Sequence, residues 1–256
     1  MSFLNKVVLV TGAGSGIGQA VSLQFAKYTA RLSLVDKDEE NLKKTGALCQ
    51  KLIRAKVLTT VAELREEEDI KKAVANTKAE FGRIDIVVNC AGIYRPTSIF
   101  DSNLVELFDD VMATNLRSVV FLINCVANDL VETKGNIINI TGEMRSLGAF
   151  KGIAYQTTIA ALEHFTTSIA LELAPKGVRV NSISPGVVKT NILDSAGVNS
   201  EESEAFWSKA SSAPLNKLVK TEDIAEFVTF LASDKARAMT GCTYSIDAGL
   251  GLSRHL

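Results

Sequence analysis

Short runs of β-branched and apolar residues alternate along this chain with longer amphipathic stretches, and this alternation limits its possible folds. Several of the short runs are apolar almost throughout, which is typical of parallel strands buried on both faces. Such alternation predicts right-handed βαβ units and therefore an α/β fold, a Rossmann-type doubly wound parallel sheet of about seven strands with helices on both faces. The predicted strands are 6–11, 32–36, 56–61, 84–89, 136–141, 179–184 and 243–247, and the predicted helices are 18–28, 39–52, 66–81, 103–131, 154–174 and 222–232.

The 256 residues suit one large α/β domain, and no linker rich in proline, glycine or serine divides them. We therefore expect a single domain over residues 1–256. One long irregular stretch, 187–214, carries Phe206 and Trp207 as apolar side chains. Because a loop of this length in a compact domain usually binds or covers something, we expect a substrate lid there, with plain disorder as the alternative.

Charge and cysteine usage argue against several classes of function. A net charge of −1 and an isoelectric point near 6.2 give no basic surface for nucleic acid or an anionic membrane. The longest apolar runs, such as 7–10, are too short to span a bilayer, and no secretory signal is visible. The scattered cysteines lack the spacing of a metal site or a disulfide frame, so we expect reduced thiols, no metal and a cytoplasmic location. They are Cys49, Cys90, Cys125 and Cys242.

The first predicted strand leads into a glycine-rich segment, residues 11–18, and then into a helix. Glycines let a backbone turn sharply and approach a pyrophosphate, to which the start of the helix offers free N–H groups. Asp36 closes the second predicted strand, where a carboxylate accepts hydrogen bonds from the adenosine ribose hydroxyls and repels a 2′-phosphate. This pattern favours NAD(H) over NADP(H), although the neighbouring Lys37 would tolerate the phosphate.

The chain resembles the short-chain dehydrogenase/reductase family over almost its whole length. The family's T-G-x3-G-x-G loop matches at Thr11, Gly12, Gly16 and Gly18, and its N-N-A-G motif appears as Asn89-Cys90-Ala91-Gly92. The family's helix asparagine matches at Asn115, and its P-G motif matches at Pro185-Gly186. The family's C-terminal T-G-x4-V-D-G-G region corresponds to residues 240–249. The resemblance implies a nicotinamide dinucleotide cofactor held by a defined set of positions. They are Gly12, Ser15, Gly16, Ile17, Gly18, Asp36, Glu63, Asn89, Ala91, Gly92, Pro185, Gly186 and Thr190.

Two of these positions have specific implied roles. Thr190 stands where the family contacts the nicotinamide carboxamide. Glu63 stands where the family often places an aspartate just after the third strand, and a glutamate can still accept a hydrogen bond from the adenine amino group. The longer arm of glutamate makes this a departure from the family pattern.

The catalytic set that the resemblance implies is incomplete in this chain. The family uses a tyrosine as proton donor, a lysine four residues later that lowers the tyrosine pKa, a serine that positions the substrate oxygen, and a helix asparagine. Tyr155 and Asn115 match, but the lysine position is Ile159 and the serine position, thirteen residues before the tyrosine, is Gly142. Without the lysine, a tyrosine near pKa 10 is ionised in about one molecule per thousand at pH 7, which penalises alcohol oxidation more than carbonyl reduction.

Few residues offer a replacement for the missing groups. The Thr141 hydroxyl precedes Gly142 but, on a strand, points to the opposite face unless the strand ends in a bulge. Glu143, Arg145 and Lys151 lie in the loop that leads to Tyr155, and each is also explained as a solvated loop charge. Tyr155 and Asn115 themselves have structural alternatives, as a packed aromatic and as a helix-interior asparagine bonded to backbone.

Three hypotheses follow. The first is a degenerate family member that binds NAD(H) or a small apolar ligand and has weak or no oxidoreductase activity. The second is an active NAD(H)-dependent reductase of a small apolar carbonyl, with Tyr155 as proton donor. The third is a protein whose cofactor site is unused. We favour the first, because no residue of the nucleotide half has been lost. The loop residues that suggest a hydrophobic ligand are Ile93, Tyr94, Met144, Leu147, Phe150 and Trp207.

The family resemblance also implies a homo-oligomer, a dimer or a tetramer, formed through the helices predicted at 103–131 and 154–174. The second of these helices is apolar enough to bury more than one face. Burial of the same residues against the protein's own sheet is the alternative explanation. No nucleic-acid or membrane partner is expected.

Overall fold

The computed structural model describes residues 2–52, 56–143, 152–210 and 213–252 of the chain. Seven parallel strands form one sheet in the order β3-β2-β1-β4-β5-β6-β7, so the predicted doubly wound sheet is confirmed. The chain winds outward from β1 in one direction and from β4 in the other, which places a switch point between these two strands. The strands are β1 (Val7–Thr11), β2 (Arg31–Asp36), β3 (Val57–Val61), β4 (Ile86–Asn89), β5 (Asn136–Ile140), β6 (Arg179–Pro185) and β7 (Thr243–Ile246).

Helices cover both faces of the sheet, as predicted. The side chains of α1, α2 and α9 pack with one face into one apolar core, and those of α3, α5 and α6 pack with the other face into a second. The central strand β1 is fully buried, which explains why it is apolar at successive positions. The helices are α1 (Gly16–Lys27), α2 (Glu39–Leu52), α3 (Glu67–Phe81), α4 (Leu104–Met112), α5 (Ser118–Thr133), α6 (Ile153–Leu173), α7 (Ile192–Ser195), α8 (Ser200–Ala210) and α9 (Thr221–Ala232).

Two sequence predictions need correction. The helix predicted over 103–131 is interrupted, because a π-helical turn, Ala113–Arg117, lies between α4 and α5. The stretch 187–214 is not irregular throughout, since it contains α7 and α8. Glu201 and Glu202 lie in the first turn of α8, where acidic side chains stabilise a helix start, and the surrounding asparagine, serine and glycine residues obscured that signal.

The helical run Leu104–Thr133 also corrects the expectation that no apolar run of the sequence is long enough to span a bilayer. By length and composition alone, this run of 30 residues is apolar enough to cross a bilayer. In the fold, α5 packs against α3, and α4 packs against α6. A core helix of a water-soluble fold meets the same criteria, so the run carries no membrane assignment.

Candidate functional site

A cleft of about 290 Å³ lies at the carboxyl ends of β1, β2 and β4, beside the switch point. Ligands of doubly wound sheets bind in this place. The cleft is lined by most of the predicted cofactor-binding positions, which the fold brings together from five separate parts of the chain. They are Gly12, Ser15, Gly16, Ile17, Gly18, Asp36, Glu63, Ala91, Gly92 and Thr190.

The glycine-rich turn has a shape that only glycine permits. Gly12 has a positive φ of 64°, and a Cβ atom there would lie 2.8 Å from the Ala91 backbone. A Cβ atom on Gly18 would lie 2.1 Å from the carbonyl oxygen of Gly12. The turn therefore leaves an open backbone cradle at the start of α1, where free N–H groups and the helix dipole favour an anionic group.

Asp36 lies at the end of β2 and faces this turn. Its Oδ2 accepts a hydrogen bond from the Gly14 backbone N–H at 2.8 Å, and its Oδ1 accepts one from the Asp38 N–H at 2.9 Å. Each carboxylate oxygen has about two acceptor sites, so one bond on each leaves acceptor capacity toward the cleft. The carboxylate is fixed in place and suited to ribose hydroxyls.

Glu63 lines the cleft near β3, but its carboxylate also takes part in ion pairs. The Arg65 guanidinium lies 3.3 Å from its Oε2, and the Lys37 ammonium lies 3.7 Å from the same oxygen. Arg65 in turn pairs with Asp110 at 2.7 Å. Lys37 is therefore directed toward Glu63, and an adenine amino group would share this carboxylate with two cations.

The predicted motif at the end of β4 is divided between the cleft and the core. Ala91 and Gly92 line the cleft. Asn89 does not, since it is buried and its Nδ2 donates a hydrogen bond of 2.8 Å to Oδ1 of Asn139 on β5. In this structure Asn89 joins two strands, and its role as a cofactor ligand stays a prediction.

A second cavity, of about 120 Å³, adjoins the cleft. Ile17, Tyr94, Thr190 and Ile192 line both spaces. The wall of the second cavity is predominantly apolar, and its lining includes Phe206 and Trp207 of α8 together with the predicted residues Pro185 and Gly186. Among the described residues of this lining, Glu143 is the one with a carboxylate side chain, and none is a lysine, arginine or histidine.

Gly142 and Tyr155 line this second cavity, and Ile159 lies close to Gly142 behind the lining. A Cβ atom on Gly142 would lie 3.1 Å from the Tyr155 hydroxyl and 3.8 Å from Cδ1 of Ile159. The sequence offset of thirteen residues thus corresponds to direct proximity, and residues 155 and 159 present one face of α6 to residue 142. Ile159 is buried. Burial raises the pKa of Tyr155 to about 12, so the phenol is held in its protonated form.

Thr141 does not present its hydroxyl to Tyr155 in the way that a serine at 142 would. Residues 141 and 143 continue the backbone pairing with β6, through the Thr141 N–H to Ile183 and the Glu143 N–H to Pro185, both at 2.8 Å. No bulge therefore turns Thr141 around, and its hydroxyl lies 3.0 Å from the Ile183 carbonyl oxygen and 3.2 Å from the Glu163 carboxylate. Lys151 and Arg145, like Met144, Leu147 and Phe150, lie outside the described residues.

Asn115 lies in the π-helical turn between α4 and α5, and its amide is occupied by backbone. Its Oδ1 accepts from the Ile93 N–H at 2.8 Å, and its Nδ2 donates to the Ile93 carbonyl oxygen at 2.9 Å. The Nδ2 also lies 3.4 Å from the Thr158 hydroxyl on α6. The structural alternative for Asn115 therefore has direct geometric support, because the side chain clamps the segment that follows β4.

Sequence reasoning treated Tyr94 as an apolar pocket residue, and the structure gives it a more specific place. Tyr94 is 6% exposed, and its ring lies 5.7 Å from that of Tyr155 at an interplanar angle of 78°. Burial, Tyr155 and Glu202 raise the pKa of Tyr94 to about 12, so this phenol also stays protonated. No spacing motif marks Tyr94 in the sequence, because its neighbour Tyr155 lies 61 positions away.

Known proteins share both the sequence pattern and this architecture. A family profile described as "Enoyl-(Acyl carrier protein) reductase" matches residues 12–251. An uncharacterized oxidoreductase from Thermotoga maritima is 35% identical over 97% of this chain and 98% of its own. A short-chain dehydrogenase/reductase of unknown function from Caenorhabditis elegans, solved with cofactor, has a TM-score of 0.90 and 29% identity, covering 98% of this chain and 96% of that one. The chain belongs to the short-chain dehydrogenase/reductase family.

Other members of the short-chain dehydrogenase/reductase family show what similar sites bind. Levodione reductase has a TM-score of 0.91 and 31% identity, covering 98% of this chain and 99% of its own. A 3-ketoacyl-(acyl-carrier-protein) reductase from Brucella melitensis was solved with NADH (TM-score 0.86, 28% identity, 98% and 100% coverage). L-sorbose reductase from Gluconobacter frateurii was solved with NADPH and L-sorbose (TM-score 0.88, 26% identity, 98% coverage of both chains). Similar proteins therefore use nicotinamide cofactors of both kinds.

Proposed function

We propose that this member of the short-chain dehydrogenase/reductase family binds NAD(H) together with a small apolar ligand and has weak or no oxidoreductase activity. One observation carries the proposal: the Tyr155 hydroxyl and the Ile159 side chain both lie beside Gly142, and the family implies a serine at position 142 and a lysine at position 159. A buried isoleucine in place of the ammonium leaves the phenol with a raised pKa. At about pKa 12, only about one phenol in 10⁵ is ionised at pH 7, so oxidation with tyrosinate as base is strongly disfavoured.

The described residues fit a dinucleotide. The backbone cradle at Gly12 and Gly18 would receive the pyrophosphate, and Asp36 would accept hydrogen bonds from the adenosine ribose. Thr190 borders both spaces, so it would lie at the nicotinamide end. When bound, the nicotinamide supplies or accepts a hydride, and the protein's part is to hold it beside the ligand and to exclude water.

NAD(H) is favoured over NADP(H) by charge at the end of β2. The Asp36 carboxylate would repel a 2′-phosphate, and the Lys37 ammonium, which would offset this repulsion, is directed at Glu63. This preference is a proposal, since similar structures hold either cofactor.

Calorimetry with NAD⁺, NADH, NADP⁺ and NADPH tests the cofactor half of the proposal, and a turnover assay on a panel of carbonyls and alcohols tests the other half. We expect measurable NAD(H) binding, weaker NADP(H) binding and negligible turnover. Robust turnover would overturn the proposal of weak or absent activity, and absence of nucleotide binding would overturn the proposal as a whole.

An active NAD(H)-dependent reductase of a small apolar carbonyl is the second candidate. It is favoured by the protonated state of Tyr155, because reduction needs the phenol as an acid and not as a base. The similarity to levodione reductase points the same way. The loss of one oxyanion donor at Gly142 costs about 10²-fold or more by analogy with other enzymes. The same turnover assay separates the candidates, since this one requires ketone-dependent oxidation of NADH.

The other predictions from sequence stay proposals. The segment 187–214 supplies Phe206 and Trp207 to the cavity wall, which supports a lid role within a single domain. A homo-oligomer is supported by exposed apolar side chains on the helices named in the prediction, since Val105, Val120 and Leu171 are 72%, 39% and 81% exposed. Light scattering of the natural protein and a Leu171→Glu variant tests the assembly. The cytoplasmic location remains a prediction.

A further inference from the structure

The segment that follows β6 lies directly on the glycine-rich turn that follows β1. A Cβ atom on Gly16, whose φ is +53°, would lie 3.2 Å from Cγ2 of Thr190. Beside this contact, the Ser15 hydroxyl donates a hydrogen bond to Oδ1 of Asn191 at 3.3 Å. Ser15 and Asn191 both line the cofactor cleft, so two residues 176 positions apart in the chain meet at the start of α1, where the pyrophosphate is proposed to bind.

Ser15 and Asn191 are both N-cap residues whose side chains are used on each other. Ser15 precedes α1 and Asn191 precedes α7, and within the described residues neither side chain makes a capping hydrogen bond to its own helix. Serine and asparagine are preferred at this position because their side chains satisfy free N–H groups at the start of a helix. Since the Ser15 side chain is turned to Asn191, it leaves the N–H groups of the first turn of α1 to a ligand.

The two cationic side chains among the described residues that line the cleft are already paired with carboxylates. The Lys37 ammonium lies 3.7 Å from Glu63, and the Arg95 guanidinium lies 3.2 Å from Asp110. The charge of a pyrophosphate must therefore be met mainly by neutral donors, which are the backbone N–H groups of the turn and the hydroxyl and amide side chains of the wall. Neutral donors suffice for this because a hydrogen bond to a charged acceptor is about twice as strong as one between neutral groups.

Asn191 has a hydrogen-bond donor that the rest of the protein leaves available. Its Oδ1 accepts from Ser15, whereas its Nδ2 makes no hydrogen bond to any residue that the structure describes. The amide nitrogen carries two N–H donors and is bonded to the same carbon as Oδ1, so it also lies near the glycine-rich turn. The bond between the Ser15 hydroxyl and Oδ1 is exposed and long for an O–H···O contact, so a charged phosphate oxygen would replace it.

We propose that Asn191 is a ligand of the cofactor pyrophosphate. The Ser15 hydroxyl donates to one phosphate oxygen from the glycine-rich turn, and the Asn191 amide donates to another from the segment after β6. The diphosphate is thereby clasped between the two segments. This inference rests on the proposed function, because it assigns a further residue to the same NAD(H) site.

The test compares ADP, which carries a diphosphate, with adenosine, which carries none, by ligand-observed NMR titration in buffer that contains EDTA. Titrations with NADH are run in parallel. The variants are Asn191→Ala, Ser15→Ala and Asn191→Asp, which adds a negative charge to a side chain of the same size. Asn103→Ala is the matched control, because Asn103 is also an exposed N-cap asparagine without a capping side-chain bond in the described structure, and it lines neither space.

We expect Asn191→Ala to weaken the binding of ADP and NADH about tenfold, the effect of one hydrogen bond to a charged group, and to leave adenosine binding unchanged. Ser15→Ala should act in the same direction. Asn191→Asp should weaken ADP binding more than Asn191→Ala does, because a carboxylate repels a diphosphate. Asn103→Ala should change the affinity of none of the three probes.

Equal weakening of ADP and adenosine binding by Asn191→Ala would mean that the residue only maintains the shape of the cleft, and would overturn the inference. Unchanged ADP binding would overturn it as well, and so would tighter ADP binding, which would mean that the bond between Ser15 and Asn191 obstructs the pyrophosphate. If the natural protein binds NADH normally, these results leave the proposed function intact. ADP binding that depends on Asn191 in a protein that binds no NADH would count against the proposed function and not against Asn191, whereas binding of neither nucleotide would overturn both.

Discussion

The hydroxyl of Tyr155 lies 3.1 Å from the point that a Cβ atom on Gly142 would occupy. The glycine is thus a packing partner of the phenol, at the position where the family resemblance implies a serine. A side chain at 142 must push the phenol away by a few tenths of an ångström before it can bond to the same ligand oxygen. Restoring the family residues is therefore a structural change in which positions 142, 155 and 159 are coupled.

The double variant Gly142→Ser/Ile159→Lys should gain ketone reductase activity that neither single variant shows in full. Gly142→Ser alone displaces the phenol, and Ile159→Lys alone places an ammonium at a site that is 4% exposed. We expect the double variant to exceed the natural protein by about 10²-fold in kcat/KM, the value of one restored oxyanion donor. Steady-state oxidation of NADH measures it, with Ile159→Met as a neutral, size-matched control. Equal activity in the natural protein, the two single variants and the double variant would contradict the coupling between positions 142 and 159.

The pH dependence of any residual activity should differ between the two directions. Burial raises the pKa of Tyr155 to about 12, so the acid form persists through neutral and mildly alkaline pH. Reduction, which uses the acid form, should be flat from about pH 6 to 9, whereas oxidation should rise about tenfold per pH unit. Rates in both directions, measured with Tyr155→Phe as background, provide the check. A reduction rate that fell near pH 7 would point to a different proton donor.

Asp36→Asn should weaken NADH binding about tenfold and reduce the preference over NADPH. The change removes the charge that repels a 2′-phosphate while keeping a side chain of the same size beside Gly14. Calorimetry with both cofactors measures the ratio. Glu40→Gln, on the exposed face of α2, serves as the charge-matched control because Glu40 pairs with Lys44 away from the cleft. An unchanged ratio of the NADH and NADPH affinities would mean that Asp36 does not discriminate at the adenosine ribose.

Asn115→Ala should lower the free energy of unfolding by about 2–3 kcal/mol, because two backbone hydrogen bonds to Ile93 are lost and their groups stay partly buried. Urea denaturation measures the change. Asn103→Ala is a suitable control, since Asn103 is exposed before α4 and makes no capping hydrogen bond, and it should cost less than about 0.5 kcal/mol. If Asn115→Ala lowered the free energy of unfolding no more than Asn103→Ala does, the two Asn115 hydrogen bonds to Ile93 would not stabilise the fold.

Local patterns in the sequence were sufficient for most of the fold. β1 was predicted from successive apolar residues, because a strand buried on both faces carries its signal at every position. Glycine at 12 and 18 was predicted to shape a phosphate-binding turn, and the close backbone approach there confirms the turn. By contrast, α8 was missed and the interruption at Ala113–Arg117 was not foreseen, since a π-helical turn has no composition of its own.

The sequence by itself determined a doubly wound parallel sheet and a glycine-rich turn after the first strand, because these depend on local periodicity and on motif spacing. Only the tertiary structure decided which side chains meet. It turned the Thr141 hydroxyl toward Ile183, committed the Asn115 amide to the Ile93 backbone, and brought Tyr94 against Tyr155. Such contacts join residues far apart in the chain, and no short-range pattern encodes them. They depend on how the strand ends and α6 pack around one cavity.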